Sequence, residues 1–221
     1  MKNYRKLTAG LIAGWLLLVL FASALHLFKN ASNRVGIAVA LAALTPIIAF
    51  SVWFSSSQKF RQFVLSLNPR ILTLVQSWRI IGIIFLVLEL MGALPAIFAL
   101  PAGFGDMFIG ATAALVARKL ANPGHRSSFI LWQALGIADL VLAVGLGSTA
   151  GLPSPHATSM AAMTVLPLSL VPTFLVPLFF IFHVICISQA RAWKGASDNS
   201  RQPGRPLHDF VAGGFQSQRK A

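Results

Sequence analysis

Apolar residues gather in six runs, each near the roughly 20 residues a helix needs to cross a bilayer. They are Thr8–Phe28, Val35–Trp53, Trp78–Phe98, Gly105–Ala117, Ile130–Gly147 and Val165–Ser188. Backbone polar groups in lipid must be satisfied within the segment, so such runs predict helices. The expected fold is all-α: an integral membrane bundle of six transmembrane helices over residues 1–189. Between the second and third runs, Phe60, Phe63, Val64 and Leu67 recur at helical spacing, with Lys59, Arg61 and Gln62 between them. This predicts a short interfacial helix over about residues 58–68, ended by Asn68-Pro69. Residues 190–221 are basic, polar and rich in turn formers, and read as a disordered cytoplasmic tail resting on anionic lipid.

Charge fixes an orientation. With the N-terminus in the cytoplasm, sixteen of the 18 Lys and Arg fall on the cytoplasmic side, and only Lys29 and Arg34 fall outside. The positive-inside rule therefore places both termini in the cytoplasm. The first run follows Lys2, Arg5 and Lys6, and Ala22-Ser23-Ala24 has the look of a signal-peptide cleavage site. The run continues to Phe28, longer than a signal core, so an uncleaved helix is expected.

Composition agrees: 56% of residues are hydrophobic and only 10% charged, against about 25% in soluble domains. The net charge of +13 would suggest nucleic acid in a soluble protein. Here the basic residues lie between apolar spans, so topology accounts for them and no nucleic acid is expected. Cys186 is the one cysteine, which rules out an internal disulfide, and no Cys/His cluster has zinc-ligand spacing. Neither cofactor nor metal is expected. The expected partners are the bilayer itself, anionic lipid at the cytoplasmic face, and a second copy or another membrane protein.

Candidate chemistry lies in the acids. Three of five, Glu89, Asp106 and Asp139, fall in or at the apolar runs, where a carboxylate costs about 2.5–3.5 kcal/mol even on lenient scales. Counted from Trp78 and Ile130, Glu89 and Asp139 lie about 16 and 14 Å deep, both near mid-membrane. Two carboxylates at one depth can share a proton or hold a cation, as a proton-coupled transporter requires. The structural alternative is that each hydrogen-bonds a neighbouring helix. Asp106 follows Pro101-Ala-Gly-Phe-Gly105, which reads either as an interrupted, cavity-lining segment or as a helix start with Asp106 as N-cap; the N-cap is preferred. Arg79 is expected at the inner edge, where it can snorkel. His183 is expected near the inner end of span six and His26 near the outer end of span one. That is about 25 Å apart by helix rise, too far to share one haem iron. His183 and Cys186 share a helical face, a weak catalytic signal. Gly103, Gly110 and Ala114 form a stripe suited to helix packing. Pro167, Pro172 and Pro177 predict a bent sixth span whose freed carbonyls line a cavity or are taken up by neighbouring helices.

An internal match links the third and fifth runs. Trp78-Arg-Ile-Ile-Gly82-Ile-Ile-Phe-Leu-Val-Leu88 and Trp132-Gln-Ala-Leu-Gly136-Ile-Ala-Asp-Leu-Val-Leu142 agree at six of eleven positions. A duplicated helix pair would produce this, as would chance similarity between apolar helices.

The chain also resembles a group of uncharacterised bacterial integral-membrane proteins. The resemblance rests on Trp78-Arg79, Leu94-Pro95, Phe98-Ala-Leu-Pro-Ala-Gly103-Phe-Gly-Asp106, Gly136-Ile-Ala-Asp139-Leu140, and Leu166-Pro-Leu-Ser-Leu-Val-Pro-Thr-Phe-Leu-Val-Pro177 followed by His183. It covers about residues 76–189. Members of that group often have Asn at the position of Gln133 and Tyr at that of Leu166. The resemblance implies a bacterial inner-membrane protein and brings no activity with it.

Three functions are expected in order: a small proton- or cation-coupled transporter built on Glu89 and Asp139, with Arg79, Asp106 and His183 as entry and exit groups; a non-catalytic membrane subunit working through helix–helix contacts, like the substrate-binding subunits of energy-coupling vitamin transporters in size and topology; and last a membrane enzyme, since no nucleophile–base pair is visible.

Overall fold

The computed structural model describes residues 2–29, 36–150 and 159–193. Within them are α1 (Lys2–Ala24), α2 (Ile37–Ser56), α3 (Gln58–Leu65), α4 (Pro69–Val75), α5 (Ile83–Leu90), α6 (Ala96–Lys119), α7 (Arg126–Thr149) and α8 (Val176–Ala192). A tighter 3-10 stretch, Gln76–Gly82, joins α4 to α5, and a π-helical stretch, Val171–Leu175, leads into α8. The described residues contain no strand. Six helices are long and apolar enough to cross a membrane: Asn3–Ala24, Ile37–Ser56, Pro69–Leu90, Ala96–Lys119, Pro123–Thr149 and Val171–Ala192. Of the tail expected over residues 190–221, Ala190 to Ala192 belong to α8. Residues from 194 onward lie outside the described residues, as do Arg34 and Val35.

Several boundaries differ from expectation, and local chemistry explains each. Asn68-Pro69, read as a stop for α3, is a start instead, since α3 already ends at Leu65. The Asn68 side chain accepts from the N–H of Arg70 at 2.9 Å, and Pro69 takes the first helical position. Span three thus begins at Pro69 instead of Trp78. It ends early as well, because Gly92 at φ 70 closes α5. The N–H of Gly92 donates to the Glu89 carbonyl and that of Ala93 to the Leu88 carbonyl, a left-handed helix end. Pro95 then starts α6, which runs unbroken through Pro101 and the glycines. The expected interruption before Asp106 is absent, and Asp106 is inside a helix instead of capping one. Span six starts at Val171, not Val165.

Spans three to six form a ring: three packs on four, four on five, five on six, and α4 closes it against α8. α2 packs on α8, and α1 meets the ring chiefly at Val171–Leu175. α3 is the amphipathic helix the sequence called for. Phe60, Phe63 and Val64 are buried, Lys59 and Arg61 exposed, and Ser57 caps the start by accepting from the N–H of Phe60. Trp53 stacks on Phe60 with ring centroids 3.8 Å apart. Gln189, near the end of α8, donates to the carbonyls of Val64, Leu65 and Leu67. One end of the bundle therefore gathers α3, the start of α1 and the last turn of α8. Arg61, Arg126 and Arg191 stand there, with the Arg126 guanidinium donating to the Arg191 carbonyl. Of the three prolines expected in span six, Pro172 and Pro177 lie inside it and Pro167 before it. Pro177 offers no N–H to the Thr173 carbonyl, and Trp15 Nε1 of α1 donates to it at 3.2 Å.

Candidate functional site

Arg79 lies within the 3-10 stretch, roughly ten residues from either end of its span, about 15 Å deep by helix rise. The inner-edge position expected for it is corrected: the span starts about two and a half turns earlier, which carries Arg79 to the middle. The same reckoning places Asp106 in α6, Asp139 in α7 and His183 in α8 near the middle of their spans. His183 is thus not near the end of its span, as was expected. Glu89 moves the other way. It is the penultimate residue of α5, near the end of its span, so the expected Glu89–Asp139 pair at one depth does not form.

Asp139 and Asp106 are joined by Arg79 instead. Arg79 Nε donates to Asp106 Oδ1 at 2.6 Å, and its Nη2 donates to Asp139 Oδ2. Its Nη1 reaches the carbonyl of Gly136 at 3.4 Å and His183 Nε2 at 3.3 Å. A guanidinium can only donate, so His183 Nε2 accepts and the ring proton sits on Nδ1. Nδ1 then donates to Gln133 Oε1 at 2.5 Å, and Gln133 Nε2 donates to Thr73 Oγ1 at 3.0 Å. Thr73 Oγ1 meets Cys186 Sγ at 3.8 Å. All four helices of the ring contribute. Arg79, Gln133, Thr73 and His183 are buried.

The carboxylates are the accessible part. The Arg79 side chain keeps 1% of its surface, whereas those of Asp106 and Asp139 keep 17% and 13%. Asp106 Oδ2 and Asp139 Oδ1 have no hydrogen-bond partner among the described residues. A cavity of about 70 Å³, lined by Arg79, Asp106, Gly82, Leu140, Leu175 and Phe179 among others, adjoins Asp106. That volume has room for water, and in an otherwise apolar wall Arg79 and Asp106 are the charged residues that could hold one. Gln76 Oε1, one turn before Arg79, is buried without a partner while its amide donates to the Phe179 carbonyl.

Four glycines make the site's space. A Cβ on Gly82 would overlap Asp106, one on Gly105 would overlap Asp139, and one on Gly136 would overlap the His183 ring. A Cβ on Gly110 would strike the backbone of Ile80 and Arg79. The stripe read as helix packing does pack: Gly103 faces Leu86 and Gly110 faces the 3-10 stretch.

The internal match acquires a spatial counterpart. Arg79 bonds Asp106 of the next span, which lies against Gly82; Gln133 bonds His183 of the next span, which lies against Gly136. Arg79 and Gln133, like Gly82 and Gly136, are equivalent positions of the matched segments. The two halves meet where Arg79 touches His183 and Asp139.

Sequence reading singled out Arg79, Asp106, Asp139 and His183, which the structure brings together, and Glu89, which it leaves apart. It missed Gln133, Thr73 and the role of the glycines. A usable signal was present: Gln133, Gly136 and Asp139 succeed one another at three-residue intervals, which places them along one helix face. His183 and Cys186 are not in hydrogen-bond contact; each meets the network at a different atom.

A family model described as a domain of unknown function (DUF8737) matches residues 33–191. The chain belongs to that family. The DUF8737 match contains all four helices of the ring and every residue of the Arg79 network, together with α2 and α3, and leaves out α1. No curated protein and no solved structure matches the chain.

Proposed function

We propose that the chain is a small proton- or cation-coupled carrier of a bacterial inner membrane, with both termini cytoplasmic. Asp106 and Asp139, held by Arg79, would form its coupling centre. The observation that carries this is a charge imbalance at mid-membrane. One guanidinium faces two carboxylates, and the imidazole beside them accepts a hydrogen bond and so is uncharged. With both acids ionised the centre holds one surplus negative charge in a medium where uncompensated charge is expensive. Binding one proton or one monovalent cation removes the surplus; releasing it restores it. The free oxygens Asp106 Oδ2 and Asp139 Oδ1, the adjoining cavity and the unpaired Gln76 Oε1 supply places for that exchange. The 3-10 stretch carrying Arg79 and the π-helical stretch in span six fit a moving part, since both occur at hinges and functional sites. The basic end containing α3 would face the cytoplasm by the positive-inside rule.

A second reading, a non-catalytic subunit acting through helix contacts, is favoured by a different observation. The network ties four helices together, and a closed polar clasp can serve packing alone.

Proteoliposomes enclosing a pH-sensitive dye, screened with pools of small solutes under an imposed pH gradient, separate the two. The carrier reading expects one class of solute to speed collapse of the gradient with wild type and not with Asp139→Asn. If no solute does so, and Asp106→Asn and Asp139→Asn each lower the melting temperature sharply at every pH, the clasp is structural and the subunit reading stands.

A further inference from the structure

An apolar cavity on the flank of the ring is lined by none of the residues of the Arg79 network. It measures about 520 Å³ and lies between α1, α2, α3 and span six. That is within the range of small-molecule sites, roughly 300–1,000 Å³. Its walls are Ala9, Ile12 and Trp15 of α1, Ala49 and Trp53 of α2, and Phe182 of α8, with other apolar residues between them; Arg5 is the one charged residue lining it. On α1 the lining runs from Arg5 to Trp15, and on span six from Phe174 to Ile185. Each stretch rises about 15 Å, half of a hydrocarbon core about 30 Å thick. On α1 the cavity therefore runs from the basic end to mid-span, and on span six it passes the level of His183 to within a turn of the span's start.

We propose that this cavity is a binding site for one anionic glycerophospholipid of the leaflet at the basic end. An acyl chain would lie between α1 and α8, and the phosphate would sit at Arg5. Three features select this occupant. The apolar length matches a single acyl chain of one leaflet. The charged residue stands at the end where a headgroup would be. The sign is complementary, because the arginine meets a negative phosphate, and the exposed Lys6 of α1 and Arg61 of α3 stand at the same end of the bundle. α1 leaves room for the chain, since it meets the ring mainly at Val171–Leu175, with Trp15 anchored on the Thr173 carbonyl at the cavity's inner end.

The test uses the full chain, reconstituted with equal amounts of phosphatidylglycerol and phosphatidylethanolamine and released from detergent for native mass spectrometry. The expected result is one retained phosphatidylglycerol per chain. Arg5→Gln should cut its preference over phosphatidylethanolamine by about fivefold, the scale of one basic residue near an anionic surface. Ala49→Trp, which fills the cavity from α2, should abolish retention of both lipids while the circular dichroism melt stays cooperative. Equal retention of the two lipids by wild type would overturn the headgroup assignment. Retention that survives Ala49→Trp would place the lipid elsewhere, and a dimer with no retained lipid would make a second copy the occupant; either result overturns the site.

Discussion

Arg79 divides its donors among two carboxylates, a carbonyl and an imidazole, so losing one acid differs from losing both. Asp106→Asn or Asp139→Asn alone leaves the guanidinium paired and removes the surplus charge, and each is expected to leave the melting temperature unchanged or raise it. The double variant leaves a buried arginine without a counter-charge, a loss of about 3–5 kcal/mol. A double-mutant cycle by denaturant titration in detergent should therefore be strongly non-additive; additive small losses would show that Arg79 does not depend on the pair. The glycines make a second contrast. Gly105→Ala and Gly136→Ala push a methyl into Asp139 and His183, each expected to cost about 1–3 kcal/mol. Gly10→Ala and Gly14→Ala on α1 meet nothing within 4 Å and should be neutral or stabilising by up to about 1 kcal/mol. Thermal melts of the four variants decide it: equal losses at all four positions would mean that close approach is not what the two site glycines provide.

At the scale of elements, the six spans and the amphipathic α3 were legible because apolar runs and three-to-four-residue spacing are strong signals. Their ends were not. α3 ends at Leu65, short of Asn68-Pro69, which starts α4 instead, and the sequence shows only the polar break. Gly92 ends α5 within a stretch that stays apolar to Phe98, so hydropathy passes over the turn. Pro101 looks like a break yet lies inside α6, because Pro95 had already started that helix. These shifts set the depths, and the depths decided which acids pair: Arg79 moved inward, Glu89 outward, and the true partners Asp106 and Asp139 could not be found from spacing alone. The turn at Gly92 is open to test. Its φ of 70 suits glycine, and an L side chain there costs about 1–2 kcal/mol. Gly92→Ala should lower stability by that amount, while Met91→Ala on the exposed neighbour should not; a neutral Gly92→Ala would remove the left-handed turn as the reason span three ends there.

For the whole molecule, the ring of spans three to six holds the polar interior, while α1 and α2 stand on one flank beside the apolar cavity. Gln62 on α3 and His125 before α7 lie at one end of the bundle, and Met91 lies at the other. In a Cys186→Ala background, Gln62→Cys and His125→Cys should be labelled from the same side by a membrane-impermeant maleimide, and Met91→Cys from the opposite side. With the basic end cytoplasmic, intact cells should label only Met91→Cys. Labelling of all three from outside would break the six-span arrangement.

The chain of contacts from Arg79 through His183 and Gln133 to Thr73 behaves as a row of arrows pointing one way. Every link has a fixed giver and a fixed taker, and no link can turn without its neighbours. A proton arriving at His183 Nε2 would set two givers face to face, and Arg79 would have to let go of the ring and settle on its carboxylates. The protonation of His183 and the direction of a string of dipoles three helices wide are thus tied together, from Arg79 to Thr73, six residues and about 9 Å earlier along the same span.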